Sequence, residues 1–223
     1  MKRLVEDDIL AWKDRADRKP LVLMGARQVG KTWLMRDFGR KHFARVHEFN
    51  FDDTPDLASV FEGTKDPASI LARLAAISGA KIDIGRDVVI FDEIQECGNA
   101  LNSLKYFCEK CPQLAILAAG SLLGVKLRRK RGSSHELPQT YPVGKVELLN
   151  VEPISFSEFL LARNEPLWEY FMSVHGVEPI PDVFHRKLTD EYRLYLMVGG
   201  MPEVVANYIA NEDPARVAKL QED

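Results

Sequence analysis

Gly25, Gly30, Lys31 and Thr32 stand at the spacing G-x-x-x-x-G-K-T within LVLMGARQVGKTWLMRDF, the segment from Leu21 to Phe38. Glycines let the backbone turn tightly, so that successive N–H groups and the start of the following helix face one anion. A lysine directly after the second glycine reaches the far end of a phosphate chain, and the threonine hydroxyl can ligate a divalent cation. The chemistry to expect is a nucleoside polyphosphate cradled by Gly25, Ala26, Arg27, Gln28, Val29, Gly30, Lys31, Thr32 and Trp33. The plainer reading is a glycine-rich turn with no ligand. The rarity of the pattern, with an apolar run before it and a helical pattern after it, weighs against that.

A triphosphate site needs an anchor for magnesium and, for hydrolysis, a group that activates water. DVVIFDEIQ, Asp87 to Gln95, offers both where an apolar run ends. Asp92 is expected to hold the metal together with Thr32, and Glu93 to polarise the attacking water. Acid pairs at strand ends are common as solvated turns, and this one gains its meaning from following the glycine-rich turn. A third candidate is Ser121, directly after the apolar run LAILAAG, placed to sit between the terminal phosphate and the water held by Glu93. Gly-Ser is also ordinary turn chemistry. The catalytic candidates are therefore Glu93, Lys31 and Ser121.

Such residues need a sheet to hold them. Leu21 to Met24, Val88 to Phe91 and Leu114 to Ala119 are short continuous apolar runs, the pattern of strands buried on both faces. Arg45 to Phe51 alternates and is a fourth strand. Helical spacing lies between them at Lys31 to Lys41, Pro67 to Ile77 and Asn99 to Lys110, and another helix is read from Leu4 to Arg18. Strand and helix in alternation predict an open α/β sheet with right-handed crossovers. From about Pro153 the texture turns helical, with SFSEFLLAR, PLWEYFMSV and VFHRKLTDEYRLYLMV. The expected division is an N-terminal helix over 1–18, a core over 19–150 and a helical domain over 151–223.

The 223 residues, 46% of them hydrophobic and 28% charged, have the balance of a soluble globular protein with a sizeable core. A formal net charge of -3 gives no whole-molecule attraction for nucleic acid or anionic membrane, so either partner would need a local patch. The early acids of MKRLVEDDIL exclude a signal h-region, and the longest apolar run is well short of a membrane span. Cys97, Cys108 and Cys111 are too few and odd in number for a disulfide framework, and a reducing cytoplasm is the expected setting. CEKC lacks the second pair of ligands that a zinc site needs, and the scattered histidines are assigned no metal.

The segments LMGARQVGKT, IFDEIQ, AAGSLLG, VEPISFSEFL and GGMPEVV occur in this order between Leu21 and Ala206. Together they resemble the AAA-type P-loop ATPases of bacteria and archaea whose ATPase domain usually precedes a C-terminal domain of unknown function. The resemblance implies ATP with Mg2+, and a P-loop NTPase parallel sheet of strand order 5-1-4-3-2 with helices on both faces. A smaller helical lid or winged-helix-like domain would follow. It also implies that Gly200 and Pro202 of GGMP form a turn packed against adenine, although VGGMP reads locally as a helix stop before a proline-started helix. Departures bear on activity. Gly144 is followed by Lys145 where family members commonly carry arginine, so hydrolysis is expected to be slow. Trp33 replaces a residue that is often small, and the chain ends soon after the lid, as a fragment or shortened member would.

VKLRRKR places Lys126, Arg128, Arg129, Lys130 and Arg131 within six residues. A solvated loop is the commoner reading, with nucleic-acid backbone or a neighbouring subunit's ATP as the functional ones. The leading function is an ATPase whose cycle drives a conformational change, alone or as a homo-oligomer. The alternatives are an ATP-dependent nucleic-acid-binding protein of a mobile element or defence system, and a P-loop kinase.

Overall fold

The computed structural model of the protein describes residues 1–120, 142, 144–176 and 179–222. Ser121 and the run Lys126, Arg128, Arg129, Lys130 and Arg131 lie outside the described residues. In chain order the first elements are α1 (Val5–Asp14), β1 (Leu21–Met24), α2 (Lys31–His42), β2 (Val46–Asn50), α3 (Pro67–Ser78), β3 (Val88–Asp92), α4 (Gly98–Lys110), β4 (Ala115–Gly120) and β5 (Glu147–Asn150). Five helices follow: α5 (Phe156–Arg163), α6 (Glu165–Ser173), α7 (Asp182–Val198), α8 (Pro202–Asn211) and α9 (Pro214–Glu222). Short 3-10 turns occupy Pro55–Phe61 and Ile94–Glu96.

The strands form one parallel sheet in the order β2-β3-β4-β1-β5, the expected 5-1-4-3-2 seen from the other edge. Every residue of β3 and β4 is buried, which explains why both read as unbroken apolar runs. Register fixes the site. Phe91 pairs with Ala118, so Asp92 comes level with Ala119, and Ala119 pairs with Leu23. The carboxylate that ends β3 therefore lies in the row of Leu23, two residues before Gly25. Asn50, at the end of β2, stands opposite Asp92 on the other side.

Phe49, Phe51, Phe61 and Phe91 meet edge-on or tilted, with ring centroids 5.7 to 6.2 Å apart. This cluster, with Ile70, Leu74, Leu104, Phe107 and Ile116, forms the main core beside β3. The helices that cover it begin and end on local chemistry. Asp66 accepts from Ser69 N–H at the start of α3, with Pro67 in the first turn, and Gly79 ends the helix in the left-handed conformation. Cys97 caps α4 through its sulfur, which accepts from Ala100 N–H. All three cysteines are free thiols.

The chain contains two compact units, Asp7–Val151 and Met1–Glu6 with Glu152–Asp223. Among the described residues the second unit has helices as its only regular structure. It packs Ile154, Phe159, Val198, Val204, Val205, Tyr208 and Val217 into a separate small core. Ser155 and Glu158 close a capping box at the start of α5. The carboxylate of the buried Glu158 also accepts from Arg3 Nε at 3.0 Å and from Leu4 N–H at 2.9 Å. Burial pushes this carboxyl up, but the bonds from Ser155 N–H, Arg3 and Leu4 N–H outweigh burial and hold it below the usual value. Gly199 terminates α7 and Pro202 starts α8, as the local reading of VGGMP anticipates. Gly200 is tied to Ile154: its carbonyl accepts from Ile154 N–H at 2.7 Å, and a Cβ there would meet Ile154 O at 2.6 Å.

Candidate nucleotide site

Residues 25 to 30 connect β1, which ends at the half-buried Met24, to α2, which starts at Lys31. Gly25 has φ +150°, and a Cβ on it would stand 2.2 Å from the Val151 carbonyl oxygen, so glycine is required by close approach of two backbone segments. Gln28 (φ 63°) and Gly30 (φ 86°) carry the chain through left-handed turns, with Val29 buried between them. Gly30 provides no side-chain cap to α2, and the first helical bond there runs from Leu34 N–H to Gly30 O. The amides of Lys31, Thr32 and Trp33 thus lie outside the intrahelical ladder, where they can donate to an anion.

Lys31 is 6% exposed, and its ammonium curls back over the loop to donate to Gly25 O at 3.1 Å and Ala26 O at 2.6 Å. Burial lowers its pKa, while the nearby Glu93 and Asp92 carboxylates oppose that fall. The Thr32 hydroxyl donates to Asp92 Oδ2 at 2.7 Å, and Asp92 Oδ1 accepts from Glu93 N–H at 3.1 Å. Burial raises the Asp92 carboxyl above the ordinary aspartate range despite those two bonds, and the charges of Glu93 and Glu48 push the same way. A buried carboxylate in that state gains from a cation. Hydroxyl and carboxylate are hard oxygen donors of the kind magnesium accepts beside phosphate oxygens and water, so the pair suits that ion.

Glu93 follows in the left-handed conformation, φ 48°, which turns the chain sharply after β3. Its carboxylate accepts from Gln95 Nε2. Sequence reasoning passed over Gln95, although it lies inside IFDEIQ; the pairing depends on the left-handed turn, which side-chain spacing alone does not reveal. Arg36, one helical turn after Thr32, forks onto both oxygens of Glu48, with Nε donating to Oε2 at 2.7 Å and Nη2 to Oε1 at 2.5 Å.

The structure brings Lys31, Thr32, Asp92 and Glu93 together. Trp33 is exposed at the start of α2, and Arg27 and Gln28 are exposed in the loop. Pro202 belongs to the helical unit. Lys145 precedes β5, at the edge of the sheet opposite residues 25 to 32, and its ammonium pairs with Glu109 at 2.9 Å.

A parallel sheet of this order, carrying a G-x-x-x-x-G-K-T loop after β1 and an acid at the end of β3, defines a P-loop nucleotide-binding domain. Residues 17–160 match the family model described as AAA domain. The chain belongs to that AAA family of P-loop ATPase domains. A Walker-type ATPase of Pyrococcus abyssi is similar in fold, with TM-score 0.55 and 18% identity over 98% of this chain and 70% of that one. DnaA from Aquifex aeolicus, solved with AMPPCP, gives TM-score 0.48 at 14% identity, covering 93% of this chain and 59% of that one. RuvB from Thermotoga maritima gives 0.47 at 14%, covering 92% and 59%. No curated protein matches the chain. No helix among the described residues is long and apolar enough to cross a membrane.

Proposed function

We propose that the protein binds ATP with magnesium at residues 25 to 32 and hydrolyses it, coupling turnover to a conformational change. The observation that carries this reading is the convergence of the Thr32 hydroxyl and the Asp92 carboxylate, 2.7 Å apart, beside the buried Lys31 ammonium. Magnesium, when bound, would neutralise charge on the phosphate oxygens. In this reading the loop amides and the start of α2 orient the phosphates, and Lys31 leaves the Gly25 and Ala26 carbonyls to meet the far phosphate oxygens. Thr32 and Asp92 hold the metal. Glu93 takes the proton from water once Gln95 yields its carboxylate.

Hydrolysis is favoured over transfer to a small acceptor by Glu93, because an acceptor substrate brings its own hydroxyl as nucleophile. Glu93→Gln keeps the size and hydrogen-bonding reach of the side chain and removes the base. We predict that this variant binds ATP within about twofold of the parent and releases phosphate at least about 100-fold more slowly. Equal phosphate release from both proteins would remove Glu93 from the mechanism.

A further inference from the structure

At the edge of the sheet opposite residues 25 to 32, the segments that lead into β1, β2 and β3 enclose a pocket of about 350 Å³. Its lining includes Lys13, Arg18, His42, Phe43 and Arg86, with three permanent cations and no carboxylate among the described residues. Lysine and histidine at the ends of α1 and α2 are ordinary complements to helix dipoles. Arg18 and Arg86 belong to neither helix, so the dipoles do not account for their convergence. Arg18 is held in place by its own carbonyl contacts: Nη1 donates to Lys13 O at 3.0 Å and Nη2 to Gln113 O at 2.7 Å. Its Nε is buried, and among the described residues it has no acceptor. A buried guanidinium N–H without a partner is a costly arrangement, which leaves this cation's charge under-compensated beside the pocket. One lining cation has a competing partner, since Lys13 Nζ contacts the mostly exposed Asp14 carboxylate at 3.1 Å. That pair is solvent-screened and easily exchanged.

We propose that this pocket is a second anion site, separate from the nucleotide loop, that takes phosphate groups presented either by a nucleic-acid backbone or by a free polyphosphate. Arg18, Lys13 and Arg86 neutralise one phosphate from the segments that line the pocket. The proposed contacts are all to phosphate oxygens, so binding is independent of sequence and strongly dependent on salt.

The experiment titrates the full chain with a fluorescein-labelled single strand of mixed sequence, and separately with inorganic tripolyphosphate, over a range of KCl concentrations. The proteins compared are the parent, the double variant Lys13→Ala/Arg86→Ala, the charge-retaining Arg86→Lys, and Lys31→Ala. The expected result is binding of at least one probe, weakened about tenfold in the double variant and retained in Arg86→Lys. For the strand, the salt slope falls by about 0.7 for each cation removed. Binding of tripolyphosphate alone by Lys31→Ala, whose nucleotide loop is impaired, assigns a free polyphosphate, and binding of the strand assigns the backbone. The proposal is overturned if neither probe binds, if the double variant binds both as the parent does, or if Lys31→Ala alone abolishes binding, which would place the phosphate at residues 25 to 32.

Discussion

Asp92 carries the tension of the site in one side chain. It is 2% exposed, and burial raises its carboxyl above the range of an unfolded aspartate, so the folded protein holds the proton more tightly than the unfolded chain does. The contribution of Asp92 to the stability of the nucleotide-free protein is therefore greatest at acid pH. It falls as pH rises from the unfolded aspartate value through the higher folded one, and stays lower above that. Asn at this position keeps an oxygen for the Thr32 hydroxyl and removes the charge. We predict that Asp92→Asn melts at a higher temperature than the parent at pH 7 to 8 in the absence of nucleotide, and that Mg-ATP no longer stabilises it. A lower melting temperature for the variant would contradict the burial argument. This is the usual trade between function and stability at a site built to receive a ligand. Gly25 shows the same principle in the backbone, since the close approach of Val151 O admits no other residue without a shift.

The elements that position these residues were legible in proportion to how completely they are buried. β1, β3 and β4 carry unbroken apolar runs because helices cover both faces, and their strands fall within a residue of the expected bounds. β5 was not located from its own residues. It is a four-residue edge strand with half-buried and exposed positions alternating, and Leu148 is 45% exposed, so Glu147–Asn150 has no apolar run to mark it. The turn at Pro55–Phe61 was missed because a 3-10 segment has no 3.6-residue periodicity, although it delivers Leu57, Val60 and Phe61 to the core. The resemblance supplied the order of the sheet, which three apolar runs cannot fix. In the helical unit, SFSEFLLAR showed helical spacing, whereas the capping box of Ser155 and Glu158 was not read from it and the tie of Glu158 to Arg3, 155 positions apart, had no local sign. Glu158→Ala would leave the Arg3 charge buried without its carboxylate, and we predict a loss of about 3–5 kcal/mol from the unfolding transition of that unit. The folded Glu158 carboxyl lies below the unfolded value of 4.5, so its contribution is complete above that pH and disappears as pH falls through the lower folded value. Denaturant melts of parent and variant should converge on acidification; a constant difference down to the most acid pH would refute the assignment.

For the whole molecule, a net charge of -3 leaves partner choice to local features, of which the phosphate loop and the basic pocket at the opposite edge are the two with a stated chemistry. The family and the fold set the class of the protein without naming what its cycle acts on, because function belongs to sites grafted on a shared sheet. The most direct measurement is calorimetric titration of the chain with ATP in the presence and absence of magnesium, alongside Lys31→Ala. The expected result is saturable binding that magnesium strengthens and that Lys31→Ala weakens about 10–100-fold, the worth of one charge-assisted contact. Heat that is absent at millimolar ATP, or identical in parent and variant, would contradict the central claim.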